Sequence, residues 1–198
     1  MANTESTMLP LGTPAPDFAL TDAVTGNLVR RDDYQGTKAF LVMFICPHCP
    51  FVKHMDKALA KLGQDYANQP LAIVAINSND AVAYPEDDPT GMKLQAETFG
   101  FNFPYLFDET QEVAKAYEAA CTPDFFLFDA DFRLVYRGQF DSSRPNSTIP
   151  VTGQDLRAAI DAVLTDQPVP AEQRASIGCN IKWNEQSRAD ITHRPIPS

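Results

Sequence analysis

Residues 39–49 have the sequence Ala-Phe-Leu-Val-Met-Phe-Ile-Cys-Pro-His-Cys, an unbroken apolar run that ends in two cysteines three positions apart. A half-exposed strand alternates apolar and polar residues, so seven consecutive apolar residues predict a central strand buried on both faces. Apolar residues then recur at helical spacing from Phe51 to Leu62, which predicts one amphipathic helix. The two cysteines therefore lie where a buried strand meets a helix.

Strands and helices alternate along the rest of the chain. An extended pair around a Thr25-Gly26-Asn27 turn predicts a hairpin near the N-terminus. The other predicted elements are a buried strand at 71–76, helices at 91–99, 109–119 and 155–164, and an antiparallel pair at 124–129 and 133–137. This alternation of strands and helices implies parallel strands joined by crossover helices. The predicted fold class is α/β, with a central mixed β-sheet flanked by helices, an N-terminal β-hairpin and a C-terminal extension.

The length of 198 residues fits one domain with extensions. We expect a flexible N-terminus at 1–10, one domain at 11–165, and an extension at 166–198 that packs on it. Hydrophobic residues make up 44% of the chain and charged residues 21%, as in ordinary globular proteins. A formal net charge of -10 argues against a nucleic-acid partner and against an anionic membrane surface.

The N-terminal ten residues lack a basic start followed by an apolar run, and no later stretch is long enough to span a membrane. These features predict a cytoplasmic protein.

Four cysteines are too few for a disulfide-stapled scaffold. Two of them at Cys-x-x-Cys spacing indicate redox or metal chemistry.

A redox dithiol needs two sulfurs that can bond to each other, with one open to attack on an outside partner. We expect Cys46 at the exposed N-terminus of the helix, where backbone N–H groups favour a thiolate, and Cys49 one turn further in. Cys46 is then the nucleophile, and Cys49 resolves the mixed disulfide. A cationic His48 would tune the pKa of Cys46, and Pro47 is compatible with a first helical turn. The predicted partners are protein or small-molecule thiols and disulfides, and no cofactor is expected.

A metal site is the alternative interpretation of the same segment. Cys46, His48, Cys49 and His54 are all ligand types that zinc accepts. A closed structural zinc site needs four ligands, and no second Cys-x-x-Cys or His-x-x-x-His motif follows. We therefore predict redox chemistry and no metal, and keep a copper-binding or zinc-binding module as the alternative.

Three motifs carry a family resemblance: Gly12-x-x-Ala15-Pro16-Asp17-Phe18-x-Leu20, Cys46-Pro47-His48-Cys49 and Cys121-Thr122-Pro123-Asp124. With them the chain resembles the thioredoxin superfamily, and within it the peroxiredoxin-like branch of the alkyl-hydroperoxide-reductase and thiol-specific-antioxidant group (AhpC/TSA). The closing segment 177–183 also looks like the end of an uncharacterised subgroup of that branch. The resemblance implies a thioredoxin fold over residues 10–165 and thiol-disulfide oxidoreductase activity. It also implies a cis bond before Pro123, with Thr122 and Pro123 in a substrate groove where the Thr122 backbone pairs with the substrate chain.

The sequence departs from the peroxidases of that group. They carry Pro-x-x-x-Thr-x-x-Cys at the cysteine that reduces peroxide, whereas Ala39 and Met43 stand at the matching positions before Cys46. Counted from Cys49, these positions are Val42 and Cys46. The hydroxyl that helps to polarise peroxide is therefore missing, and a peroxidase with Cys46 as its peroxidatic cysteine is the second alternative, expected to be slow.

The sequence also departs from thioredoxin, which has a buried aspartate six positions before its first cysteine. Phe40 stands there, so the proton acceptor for the resolving thiol must come from elsewhere, with Lys38 and Asp56 as candidates. The Cys-Pro-His-Cys tetrad is similar to that of the bacterial periplasmic disulfide-forming oxidase and implies an oxidising site. A cytoplasmic location implies a reducing one, so the direction of electron flow stays open.

The other two cysteines are auxiliary candidates. We expect Cys121 to lie near the dithiol and to be a buried free thiol, which is the commoner role for such a cysteine. Cys179 either pairs with Cys121 or lies over the active site, with Trp183 as a hydrophobic anchor for the tail. A third redox thiol would permit an electron relay. The acidic residues 80 and 86–88 are expected to form a solvated surface loop.

Overall fold

A computed structural model describes residues 3–193, and its centre is a seven-stranded mixed sheet. Its strands are β2 (Ala19–Asp22), β3 (Leu28–Arg30), β4 (Ala39–Phe44), β5 (Leu71–Asn77), β6 (Tyr105–Phe107), β8 (Asp124–Asp129) and β9 (Leu134–Tyr136), in the order β3-β2-β6-β5-β4-β8-β9. Strand β4 is parallel to β5 and antiparallel to β8. The predicted α/β class, its central mixed sheet and its N-terminal hairpin (β2 and β3) are confirmed.

Strand β4 forms the middle of the core because both of its faces are covered. All six of its residues are buried. Leu41 and Met43 pack into one apolar cluster, and Phe40, Val42 and Phe44 pack into a second cluster on the opposite face. An element covered on both faces carries apolar side chains at every position, which explains why the run has no polar alternation.

The helices are α1 (Pro50–Lys53), α2 (Asp56–Asp65), α3 (Pro89–Phe99), α4 (Glu112–Ala116), α5 (Gln154–Leu164) and α6 (Glu185–Thr192). The single helix predicted after the cysteines is wrong in one respect, since it breaks at Met55, whose φ is -117° and ψ is 5°. At the break the His54 ring contacts Ser143, with Nε2 2.7 Å from Ser143 Oγ. Apolar spacing continues through the break because α1 and α2 cover the same face of the sheet, which is why the sequence did not show it.

Two ends of the chain meet in a smaller sheet. Strand β10 (Ile177–Asn180) lies between β1 (Asn3–Glu5) and β7 (Cys121–Thr122), and both pairings are antiparallel. Residues 3–5 therefore belong to a strand, which corrects the expectation of a flexible segment over that part of 1–10. The C-terminal extension contributes β10 to this sheet. Within residues 3–193 no helix combines the length and the apolar character that crossing a bilayer requires.

Candidate active site

The two cysteines of the tetrad follow β4 directly, but the helix starts later than predicted. Cys49 is the N-cap residue and Pro50 is the first helical residue of α1. Pro47 lies in the bend between Cys46 and the helix instead of in the first turn. Both cysteines are fully buried. The expectation that Cys46 occupies an exposed helix N-terminus is therefore wrong, because proline at position 50 makes Cys49 the capping residue.

The Thr122-Pro123 segment lies directly against the dithiol. The peptide bond between these residues is cis, as the family resemblance implied. Cys46 Sγ lies 3.5 Å from Thr122 Oγ1, and Cys49 Sγ lies 3.3 Å from the Thr122 carbonyl oxygen. One residue thus contacts both sulfurs, and Thr122 supplies a hydroxyl to Cys46 that the local sequence before Cys46 lacks.

A third thiol joins the pair. Strand β10 brings Cys179 to Cys49, with the two Sγ atoms 2.8 Å apart. Cys121, the neighbour of Thr122, points elsewhere: its Sγ lies 3.5 Å from the Pro123 carbonyl oxygen. All four cysteines are buried and none forms a disulfide in this structure. Of the two alternatives for Cys179, its place over the active site agrees with the structure, and the contact with Cys49 replaces a pairing with Cys121.

The surroundings shift the pKa values of Cys49 and Cys46 in opposite directions. Hydrogen bonds from Cys179 and then from Cys46 lower the pKa of Cys49, and the backbone N–H of Val52 adds to the effect. Burial first, then the hydrogen bond to Cys49 and the charge of Asp87, raise the pKa of Cys46. This distribution is the reverse of the expected one, because the N-cap position and the neighbouring thiol donors belong to Cys49.

His48 is held by a carboxylate that the sequence analysis assigned to the surface. The Asp87 carboxylate contacts His48 Nδ1 and accepts a hydrogen bond of 3.0 Å from the His48 backbone N–H. Asn79 Nδ2 donates to the same carboxylate at 2.9 Å, and the ring of Tyr84 stacks on that of His48 at 5.2 Å. The hydrogen bond to Asp87 is the main reason why the pKa of His48 is raised. The imidazolium form is thereby favoured close to Cys46.

Asp87 is the residue at this site that the sequence did not indicate. It is fully buried in a short 3₁₀ helix, Pro85–Asp87, whereas the expectation placed it in a solvated acidic loop. Its neighbour Asp88 instead caps α3, accepting a hydrogen bond of 2.7 Å from Gly91 N–H. Residues 86–88 are all acidic, so the local sequence does not show which of them is buried. Asp87 turns inward because the chain returns towards β5 at this point. An Asp-Pro cap before a helix was the available local signal, and it identified Asp88 alone.

Of the two candidate proton acceptors, the structure favours Asp56. Asp56 is 2% exposed and accepts a hydrogen bond of 2.8 Å from Gln95 Nε2. Burial raises the pKa of Asp56 to about 6, and the charge of Cys49 contributes to this rise. Lys38 instead pairs at the surface with Asp166, at 2.9 Å. Asp56 is thus a buried carboxyl whose pKa responds to the charge of Cys49.

The donor groups that come closest to a metal site differ from those considered in the sequence. Cys46, His48 and Asp87 each offer a ligand atom, and these atoms lie within 4.8 Å of one another. His48 Nε2 is buried and has no hydrogen-bond partner among the described residues. His54, a candidate ligand, belongs to the Ser143 contact instead. Three donors are one fewer than a closed tetrahedral zinc site uses.

Comparisons with known proteins agree with this geometry. The chain is 33% identical over 126 residues to the thiol-disulfide oxidoreductase ResA of Geobacillus kaustophilus (strain HTA426), which covers 64% of this chain and 67% of the relative. The crystal structure of an uncharacterized conserved protein from Geobacillus kaustophilus is 58% identical, covers 93% of this chain and 98% of that chain, and superposes with a TM-score of 0.91.

A more distant structure supports the fold. The thioredoxin domain of a thiol-disulfide oxidoreductase from Bacteroides vulgatus is 19% identical and superposes with a TM-score of 0.61 over 79% of this chain and 99% of that one. At this identity the similarity concerns the thioredoxin fold. The family model described as AhpC/TSA matches residues 11–137, which include the dithiol and the cis-proline segment. The chain therefore belongs to the AhpC/TSA family and has a thioredoxin fold.

Proposed function

We propose that this protein is a thiol-disulfide oxidoreductase that works through a mixed disulfide on Cys46, which Cys49 resolves. The observation that carries the proposal is the contact of both sulfurs with Thr122 beside the cis bond to Pro123. The name of the ResA relative, a thiol-disulfide oxidoreductase, supports the same chemistry. Protein or small-molecule thiols and disulfides are the proposed partners.

The environment of Cys49 suits the resolving step. A resolving cysteine attacks the sulfur of Cys46 in the mixed disulfide, and the attacking species is a thiolate. In the mixed disulfide Cys46 has no proton to donate, but the hydrogen bonds from Cys179 and from the backbone N–H of Val52 still lower the pKa of Cys49 and favour its thiolate. When the reaction runs in reverse and Cys49 leaves as a thiolate, Asp56 offers a buried carboxyl whose pKa of about 6 allows it to give up or accept a proton near neutral pH.

The proposed role of His48 concerns the sulfur of Cys46. Cys46 must leave as a thiolate whenever its disulfide is broken, and a nearby positive charge stabilises that thiolate. Asp87 raises the pKa of His48 and holds this residue through two contacts, one to the ring Nδ1 and one to the backbone N–H. The proposed role of His48 is therefore electrostatic, and Asp87 positions the ring.

Trapping with a defined disulfide tests the assignment of the two cysteines. We expect Cys49→Ser, mixed with oxidised glutathione, to keep a glutathione adduct on the tryptic peptide 39–53, detected by mass spectrometry. Cys46→Ser should keep none on that peptide, and Cys121→Ser should behave like the wild type. Equal, lasting adducts on both single variants would contradict the assignment.

The reduction potential of the Cys46–Cys49 pair decides the direction of electron flow. Equilibration of the wild-type protein with glutathione redox buffers gives the reduction potential of the dithiol. A value near that of thioredoxin, about -270 mV, supports a reductase, and a value near that of the periplasmic oxidase, about -120 mV, supports an oxidase. The cytoplasmic location stays a prediction, and it favours the first outcome.

The metal-binding alternative has one observation in its favour, the cluster of Cys46, His48 and Asp87. Thiolate and imidazole donors suit zinc and copper. Elemental analysis of protein purified under reducing conditions decides between the two functions. Stoichiometric metal that Asp87→Asn removes would replace the redox proposal.

A further inference from the structure

Strand β10 lies across the active site and fixes Cys179 there. Its register with β7 places Cys179 opposite Thr122, the residue that contacts both sulfurs of the dithiol. On its other edge β10 pairs with β1, where Cys179 lies opposite Asn3. Cys179 is 3% exposed. A strand paired on both edges holds the cysteine in one position, so its contact with the dithiol is built into the fold.

The approach of β10 to the cis-proline segment is close and specific. A Cβ atom added at Gly178 would lie 2.0 Å from the Thr122 carbonyl oxygen, so only glycine allows the strand to come this near. Ser176 Oγ donates a hydrogen bond of 2.6 Å to the Pro123 carbonyl oxygen. The backbone N–H of Ser6 donates to the Ser176 carbonyl oxygen at 2.9 Å. These contacts surround Cys179 and direct it at Cys49.

Cys49 is the middle member of three thiols. Its Sγ lies 2.8 Å from Cys179 Sγ, whereas a disulfide bond is about 2.05 Å long. Cys46 is its other thiol neighbour, three positions earlier in the chain, and both sulfurs contact Thr122. Cys179 Sγ is therefore less than about 1 Å beyond bonding distance from Cys49 Sγ, while Cys121 is turned towards the Pro123 carbonyl oxygen.

We propose that Cys179 is a third redox-active thiol and that Cys49 exchanges its disulfide partner between Cys46 and Cys179. This inference rests on the proposed thiol-disulfide function. In the exchange, the Cys179 thiolate attacks Cys49 Sγ of the Cys46–Cys49 disulfide. The Cys49–Cys179 bond forms, the Cys46–Cys49 bond breaks, and Cys46 leaves with the bonding electron pair and takes up the proton that Cys179 gave up. Neither electrons nor atoms are gained or lost.

The charges around Cys179 change in favour of this step once Cys49 is oxidised. In the reduced site, the hydrogen bond to Cys49 is the main reason why the pKa of Cys179 is raised. That bond and the negative charge of Cys49 disappear when Cys49 is in a disulfide. Burial of Cys179 then still raises its pKa, while the positive charge of Lys182 and a hydrogen bond from the Phe51 backbone lower it. The exchange returns Cys46 as a free thiol while the protein stays oxidised, and it links β10 covalently to the active site.

The tryptic peptides of this chain separate the outcomes. Cys46 and Cys49 share peptide 39–53, Cys179 lies in peptide 175–182, and Cys121 lies in peptide 116–133. A Cys46–Cys49 disulfide therefore stays inside one peptide, and a Cys49–Cys179 disulfide links two. The probe is oxidised glutathione, which is reduced to two glutathione molecules as it oxidises one pair of thiols, and the full-length protein is alkylated before digestion.

We expect Cys46→Ser to link peptides 39–53 and 175–182 in most molecules, at least tenfold above the linkage in the Cys46→Ser/Cys179→Ser control. Cys46→Ser/Cys121→Ser should keep the link. Oxidised wild type should contain the same link beside the internal disulfide, which keeps the test valid if Cys46→Ser does not fold.

Two results would overturn the inference. One is the absence of the link from both Cys46→Ser and the wild type while the wild type still forms its internal disulfide. The other is a link from 39–53 to 116–133 instead. In both cases the proposed function survives. If the wild type forms no disulfide at all with peptide 39–53, the proposed function itself fails.

Discussion

Replacement of Asp56 by asparagine should make the protein more stable at neutral pH. The folded environment raises the pKa of this carboxyl from its ordinary value of 3.8 to about 6. Between these two pH values the folded state binds more protons at Asp56 than the unfolded state does, so the free energy of unfolding falls as pH rises. At about 1.36 kcal/mol for each pKa unit, the ionised side chain costs about 3 kcal/mol above pH 6.

Asp56→Asn removes this cost and keeps an oxygen that accepts the hydrogen bond from Gln95 Nε2. We expect the variant to be up to about 3 kcal/mol more stable than the wild type at pH 8 and nearly equal to it below pH 4. Urea unfolding of the reduced proteins from pH 4 to 8 measures the difference. The resolving reaction of Cys49 should slow in the same variant, because no carboxyl remains to exchange a proton with it.

Asp65→Asn is the matched control, since Asp65 ends the same helix as Asp56 begins. The hydrogen bond to Lys61 is the main reason why the pKa of Asp65 is lowered, and Arg157 adds to it. The stability of this variant should therefore not rise with pH relative to the wild type. Parallel stability profiles for Asp56→Asn and the wild type across pH 4 to 8 would refute the reasoning about the buried carboxyl.

Two further substitutions test the surroundings of the thiols. Asp87→Asn should lower the pKa of His48 in an NMR titration, while Asp88→Asn, which removes the same charge from a helix cap, should leave it close to the wild-type value. Because the pKa of His48 is raised in the folded state, the contact between His48 and Asp87 stabilises the wild type at low pH, and this contribution is lost as pH rises through that pKa. The stability of Asp87→Asn should not show this decrease. Gly178→Ala should destabilise the protein by about 1–3 kcal/mol in thermal unfolding and speed alkylation of Cys179, since its Cβ would collide with the Thr122 carbonyl oxygen. Unchanged alkylation would show that β10 does not depend on this close approach.

The sequence was most informative where one local pattern has one structural solution. The apolar run before Cys46 predicted a strand covered on both faces, and the structure confirms it as β4. The hairpin around Gly26 followed from its turn residues, and the cis bond before Pro123 followed from the family motif. Local patterns failed at boundaries: apolar spacing continues across Met55, although the helix does not.

The chemical partners of the thiols were decided by residues far apart in the chain. The sequence by itself determined that Cys46 and Cys49 stand together after a buried strand. Tertiary structure decided that Cys179 reaches Cys49 from 130 positions away, and that Asp87 reaches His48 from 39 positions away. Such contacts depend on strand register and on the path of loops, to which residue spacing gives no access. The donors that lower the pKa of Cys49 include a thiol from the other end of the chain. The tertiary structure therefore decided which cysteine has the lowered pKa.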